Sequence, residues 1–264
     1  MDWDDAYSNH THIPDADSYP PRWAAKAQAL RDMLSIEGRA ELGVSYGDTT
    51  RQAYDLFLPE ADTKELVIFV HGGYWRRFGR EDWSHLAQGA LDRGCAVAMP
   101  SYDLCPTVHV ADITRQISVA IAAIADRIPA IPIRLMGHSA GGHLVSRMMA
   151  PGMLPDAVMA RIRIVMPISP VSDLRPLLLT QMNADFRLSE KEAHDESPIF
   201  QATPDIPVTV WVGADERPVF LDQARWLAEA WGAAHIIDSG KHHFDVVDGL
   251  EQADSPITEA LFSD

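Results

Sequence analysis

Cysteine is nearly missing from this chain: there are two in 264 residues, Cys95 and Cys105. Two cannot make a disulfide framework, and neither stands in a metal-ligand spacing. Cys95 opens an apolar run and Cys105 lies in a Leu-Cys-Pro loop, so both read as small buried hydrophobes. Long hydrophobic stretches are missing too. No window approaches the roughly 18 uninterrupted apolar residues of a spanning helix, so no membrane partner is expected. The first residues, Met-Asp-Trp-Asp-Asp, are acidic where a secretory leader would be basic and then apolar. The expected location is therefore the reducing cytoplasm. Basic charge is scarce: 22 Lys and Arg stand against 38 Asp and Glu, a formal net charge of -16. With no basic run and a surface that repels phosphate, nucleic acid is excluded as a partner. Internal repeats and low-complexity linkers are also absent.

What is present is ordinary core-forming material, 47% hydrophobic and 23% charged, enough for one domain over 1–264. A small-molecule substrate is the expected partner, and a homodimer is left open. Residues 1–22 carry Pro14, Pro20 and Pro21 and read as an extended arm, in which His10 and His12 are solvent histidines because no third ligand lies nearby. Residues 23–36 show a helical apolar stripe, completing an N-terminal arm and helix over 1–36. Strands are predicted at 39–46 and 52–58. Leu66–Val70 is a solid apolar run, the mark of a strand covered on both faces. Helical and strand-like segments then alternate: helix 80–92, strand 96–99, helix 109–128, strand 133–136, helix 143–149, strand 162–168. Residues 171–205 break the alternation and read as an inserted, cap-like excursion able to overhang a site. Strand 208–212, helix 218–231, strand 235–237 and a terminal helix at 255–262 complete the series. Such alternation predicts an α/β fold, a mostly parallel central sheet with helices on both faces. Sites in such sheets form at the carboxyl ends of the strands.

One stretch organises the rest. The apolar run from Ile133 ends in Gly137-His-Ser139-Ala-Gly141, and a helix-like segment follows at once. This is the layout of a nucleophile elbow, a serine on a tight strand-to-helix turn. A motif this short also arises by chance, so its weight depends on its surroundings. A serine hydroxyl needs a base to take its proton, and the base needs a carboxylate behind it. On this kind of sheet the order along the chain is Ser, acid, His. Ser139, Asp215 and His243 obey that order, each at a predicted strand end. Asp215 is preferred to Glu216 because it is one step closer to its strand. His242 competes with His243 for the role of base. The oxyanion that forms on attack needs preset N–H donors. Ala140, directly after the serine, supplies one, and Gly72 and Gly73 of His71-Gly-Gly-Tyr-Trp75 supply others.

These motifs carry a family resemblance. His71-Gly-Gly-Tyr-Trp75 together with Gly137-His-Ser-Ala-Gly-Gly142 resembles the α/β-hydrolase superfamily, in its esterase and lipase branch. The HGGxW form is similar to that of the kynurenine formamidase (arylformamidase) group. Tyr102-Asp-Leu-Cys-Pro106, Ile168–Leu177, Leu188–Ala193, Ser197-Pro198 and His243-Phe244 look similar to that group as well, so the likeness spans about residues 50–250. It implies the α/β-hydrolase fold, Ser139 as nucleophile, Asp215 as acid, and His243, directly before Phe244, as base. It implies an acyl-enzyme hydrolysis of an aryl formamide, N-formylkynurenine, with no cofactor and no metal. Trp75 is then expected to buttress the loop or, with Tyr74, Tyr102 and residues of the excursion, to line an aromatic pocket. Two readings stand beside this one: a general short-chain carboxylesterase, and a non-catalytic binding protein on the same scaffold, which would be expected to lose a triad member.

Overall fold

The fully apolar segment Leu66–Val70 lies near the middle of one eight-stranded sheet. A computed structural model describes residues 2–263. The strands are β1 (Ala40–Ser45), β2 (Ala53–Phe57), β3 (Leu66–Val70), β4 (Ala96–Pro100), β5 (Ile133–His138), β6 (Ile162–Ile168), β7 (Thr209–Gly213) and β8 (Ala234–Asp238). Their order across the sheet is β1-β2-β4-β3-β5-β6-β7-β8. Only the β1–β2 and β2–β4 pairs are antiparallel; from β4 onward every neighbour is parallel. Parallel neighbours need crossovers, and the helices supply them. The short α1 (Trp3–Ala6) and the long α2 (Tyr19–Ile36) precede the sheet. Then come α3 (Gln88–Asp92), α4 (Val110–Arg127), α5 (Ala140–Arg147), α6 (Asp156–Met159), α7 (Asn183–Phe186), α8 (Glu190–Asp195), α9 (Pro218–Trp231) and α10 (Pro256–Leu261).

Side chains alternate across a strand, so a doubly covered sheet needs apolar residues at both parities. Leu66, Ile68 and Val70 point into one core with Val110, Ile113, Ile117 and Ile121 of α4, Leu144 of α5 and Phe220 and Leu227 of α9. Val67 and Phe69 point into the other with Trp23, Leu30 and Leu34 of α2, Leu91 of α3 and Ile257 and Leu261 of α10. The same parity runs through β7, where Val210 and Val212 face the first core and Trp211 the second. The α/β-hydrolase arrangement expected from the sequence is the one found.

Three segments differ from the sequence-based expectation. Residues 2–22 are not an extended arm. They hold α1, a 3-10 turn at Ala16–Ser18, and the first turn of α2, in which Pro20 and Pro21 sit where the missing N–H costs nothing. Tyr7 anchors this segment. It is 1% exposed, its hydroxyl accepts from Gln223 Nε2 at 2.7 Å, and its ring meets Phe220 edge-on. The predicted helix at 80–92 is two 3-10 turns followed by the five-residue α3. The 171–205 excursion packs down onto the body instead of overhanging it. Leu174, Leu177, Phe186 and Ala193 are buried in the first core, and Gln223 Oε1 accepts from the backbone N–H of Ser172 and Asp173, each at 2.7 Å.

Candidate active site

Ser139 follows β5 directly and is the N-cap of α5, with φ 57 and ψ -116. That is a left-handed conformation of the kind a sharp strand-to-helix turn imposes. Close packing holds it in place. A Cβ at Gly141 would lie 1.9 Å from the carbonyl oxygen of Val70, so only glycine lets α5 approach β3 this closely. The Ser139 N–H donates to Ile168 O at 2.8 Å, tying the turn to β6.

His243 Nε2 lies 3.0 Å from Ser139 Oγ, and His243 Nδ1 lies 2.6 Å from Glu216 Oε2. An ionised carboxylate only accepts, so Nδ1 carries the proton and Nε2 accepts from the serine hydroxyl. The carboxylate in this chain of bonds belongs to Glu216, which corrects the expectation for Asp215. After β7 the backbone turns, with Asp215 N–H on Lys241 O at 2.9 Å and Glu216 N–H on Gly213 O at 3.3 Å. This turn leaves Asp215 in solvent and aims the next side chain inward. Glu216 Oε1 also accepts from Gly213 N–H at 3.0 Å and from Ser169 Oγ, so both its oxygens are held. His242 points elsewhere: its Nε2 is 3.0 Å from the Tyr19 hydroxyl and its Nδ1 3.1 Å from Asp245. Of the two adjacent histidines, only His243 reaches the serine.

The loop after β3 completes the site. Gly72 lies against the elbow, where an added Cβ would be 3.0 Å from Ser139 Cβ. Gly73 has φ +109, a backbone state side chains rarely adopt, and an added Cβ would meet Arg77 O at 2.5 Å. Among the described residues the N–H groups of Gly72 and Gly73 donate to no protein acceptor. Ala140 opens α5, where its N–H precedes the helical ladder. Three N–H groups are thus uncommitted around Ser139. His71 sets the loop from within, its Nδ1 2.7 Å from Gly72 O.

Two residues expected in the pocket stand behind it. Tyr102 is fully buried, stacks on the His71 ring at 4.3 Å and donates its hydroxyl to His71 O at 2.9 Å. Trp75 is fully buried between His143 and Phe186, with ring centroids 5.0 and 5.5 Å away. Both brace the loop rather than line the cavity. Tyr74 does line it. The cavity above Ser139 has a volume of about 280 Å³, and the aromatic rings that line it are Tyr74, Phe78, Trp83, Trp23, His138, His243 and Phe244. Asp4, Tyr7, Ser8, Asn9 and His10 of the N-terminal segment line it as well, with Arg76 and Arg77; among the described residues the excursion contributes only Met182. Tyr74 donates its hydroxyl to Tyr7 O at 2.7 Å, joining the glycine loop to that segment. Reasoning from the sequence missed this wall, because residues 1–22 show no apolar period. Tyr7, an aromatic in a polar stretch, was the available signal.

Buried imidazoles surround Ser139 and His243. Burial lowers His71 to about 3 and His143 to about 4, and burial next to His243 holds His138 well below its ordinary value. In the unfolded chain each takes up a proton near about 6.5. Below that value the unfolded state holds more protons than the folded state, so stability falls as pH falls, until the folded values are reached. Each fully buried histidine removes on the order of 1.4 kcal/mol per pH unit within that window. The melting temperature is therefore expected to drop between about pH 6.5 and 4. In His143→Gln, whose amide keeps a donor for the Glu196 carbonyl that His143 Nε2 meets at 2.8 Å, the drop should be shallower. An identical slope would refute the assignment.

No cluster of three or more His, Cys, Asp or Glu able to hold a metal occurs among the described residues, and the His10 and His12 rings pair with Asp17 and Asp5 instead. No helix among the described residues is long and apolar enough to cross a membrane. The BD-FAE family model matches residues 54–156, which carry the glycine loop and the elbow. The chain is similar to the kynurenine formamidase of Salmo salar, 25% identical over 83% of this chain and 80% of that one. Among solved structures it is similar to a candidate thioesterase from a Silicibacter species, 54% identical with a TM-score of 0.97 over 100% of both chains. It also resembles esterase B from Lactobacillus rhamnosis in fold, with a TM-score of 0.66 at 16% identity over 91% of this chain and 92% of that one. Sheet order, elbow and these likenesses converge: the chain has the α/β-hydrolase fold, is similar to kynurenine formamidases and esterases, and is a hydrolase.

Proposed function

We propose that the protein is a serine hydrolase that cleaves an aryl formamide, N-formylkynurenine, into the aryl amine and formate. The observation that carries the serine mechanism is the relay from Ser139 Oγ through His243 to Glu216, at 3.0 and 2.6 Å. Ser139 attacks the formyl carbon and its proton passes to His243 Nε2. Negative charge builds on the formyl oxygen, within reach of the N–H groups of Gly72, Gly73 and Ala140. Charge there is stabilised by donors already in place, at no reorganisation cost. The imidazolium that forms is held by Glu216 and then gives its proton to the departing aniline nitrogen as the C–N bond breaks. A water molecule, deprotonated by the same imidazole, releases formate and restores the serine. The aromatic wall of Tyr74, Phe78, Trp83 and Phe244 suits an aryl leaving group, which supports the formamide reading alongside the kynurenine formamidase relatives.

Two other hydrolyses fit the same relay, that of a short-chain aryl ester and, given the name of the 54% identical relative, that of a thioester. Comparing kcat/KM for N-formylkynurenine, an aryl acetate and a short acyl thioester separates them. The formamide is expected to lead by at least about tenfold, the share of one well-placed polar contact. No measurable formamide turnover would overturn the proposal and leave the better of the other two substrates.

A further inference from the structure

The relay from Ser139 to Glu216 makes no use of His242, although that residue stands directly before the base and all of its polar atoms are engaged. His243 lies in a turn outside any helix or strand, so no regular ladder fixes its backbone. Side chains hold the groups on either side of it instead. The His242 N–H donates to Asp245 Oδ1 at 2.7 Å, and the Phe244 N–H donates to His242 Nδ1 at 3.1 Å. The His242 carbonyl accepts from the Val246 N–H at 3.0 Å. Because Nδ1 accepts, the ring proton of neutral His242 is on Nε2, which donates to the Tyr19 hydroxyl at 3.0 Å. Tyr19 opens α2, 223 positions away in the chain. Its ring meets Trp23 and Phe244 edge-on, at 5.6 and 5.5 Å, and both of these line the cavity. One imidazole thus ties the loop of the base to a helix that walls the cavity.

The same ring has a second arrangement within reach. Asp245 Oδ1 lies 3.1 Å from Nδ1, a contact that becomes an ion pair only when Nδ1 carries a proton. A protonated Nδ1 is a donor and can no longer accept from Phe244, whose N–H is the first after His243. Besides Tyr19 and His243, the charged and titratable groups around the loop are Lys241 beside it, Asp238 and Asp248 within electrostatic reach of Asp245, and Arg22 of α2, whose guanidinium lies over the Tyr19 ring at 4.1 Å. The imidazoles of His71, His138 and His143 stay neutral to lower pH because they are buried. We propose that His242 is a positioning residue for the base: neutral, it fixes the backbone on both sides of His243 and so holds Nε2 against Ser139 Oγ; protonated, it turns from Phe244 to Asp245 and releases that hold. The proposal rests on the serine hydrolase reading and adds to it a second proton that must be absent for full turnover.

The test is the pH dependence of kcat for an aryl acetate, measured on the full-length protein at pH values where thermal melting shows it folded. On the acid side two imidazoles must both be neutral, so log kcat is expected to rise with a slope approaching two. His242→Ala should lower the plateau kcat about tenfold and leave KM nearly unchanged, because a small drift of the base misaligns the proton transfer and not the bound substrate. His242→Asn puts a carboxamide oxygen in place of Nδ1, able to accept from the Phe244 N–H at any pH. It should recover most of the plateau kcat that alanine loses, with an acid limb reduced to a slope of one. Asp245→Asn keeps an acceptor for the His242 N–H and removes the charge that favours the imidazolium, so the steep part of the limb should move to lower pH. A purely structural role for His242 would change the melting temperature and leave these slopes alone. A parent slope of one, a slope near two that survives in His242→Asn, or the parent's kcat in His242→Ala overturns the proposal. Activity that survives in Ser139→Ala refutes the serine hydrolase reading itself. Activity lost there, with an acid limb that His242→Asn does not alter, refutes the positioning role alone.

Discussion

Ser139→Ala is expected to lower kcat for aryl ester and formamide hydrolysis by about 10⁴-fold or more, with KM nearly unchanged. The hydroxyl has one partner, His243 Nε2 at 3.0 Å, and no role in holding the elbow. The turn is held by the Ser139 N–H on Ile168 O and by the contact of Gly141 with Val70, both of which an alanine keeps. Alanine tolerates the φ of 57 no worse than serine does. The melting temperature should therefore stay within a few degrees of the parent, and substrate should still bind. That pattern, a lost kcat with a kept fold and KM, separates a nucleophile from a packing residue. Residual turnover within about tenfold of the parent would sink the assignment and leave a water attacking directly. The surviving rate over background would come from the N–H groups of Gly72, Gly73 and Ala140, which the substitution does not touch.

The sheet was legible because burial on two faces writes itself into composition. Leu66–Val70 and Ile162–Ile168 need apolar residues at both parities, and nothing but a covered strand does. The elbow was legible because a close approach of backbones excludes every residue except glycine at Gly141. The wall made by residues 2–18 was not, for the opposite reason. It is held by single contacts far apart in sequence, Tyr7 on Gln223, Asp5 on Arg217 and Asp4 on the Gln181 N–H, and such pairs leave no period. Trp75 and Tyr102 were placed in the pocket because aromatics next to a glycine loop suit an aryl ligand. Full burial puts both behind the loop, where Trp75 meets His143 edge-on and Tyr102 stacks on His71. Residue type told which segment they belong to and not which way they face.

The same distinction decides the acid, where sequence proximity to β7 favoured Asp215 and geometry selects Glu216. Glu216→Gln is expected to reduce kcat by about 10³- to 10⁴-fold, while Asp215→Asn should stay within about threefold. Glutamine preserves volume and still accepts from Ser169 Oγ or Gly213 N–H, so the loop should keep its shape. What it changes is the partner of His243 Nδ1, now 2.6 Å from a carboxylate oxygen. An amide NH₂ turned toward that nitrogen makes Nδ1 the acceptor and moves the proton to Nε2, where it can no longer take the serine's proton. The neutral amide also leaves the imidazolium of the attack step without its counter-charge in a site where the Glu216 side chain is fully buried. Asp215 has none of these contacts and faces solvent. The pair of variants, assayed for kcat on one aryl acetate at fixed pH, separates the two carboxylates. A large loss in Asp215→Asn with a small one in Glu216→Gln would restore the acid that the sequence favoured, and would require the turn after Gly213 to rearrange by one residue when substrate binds.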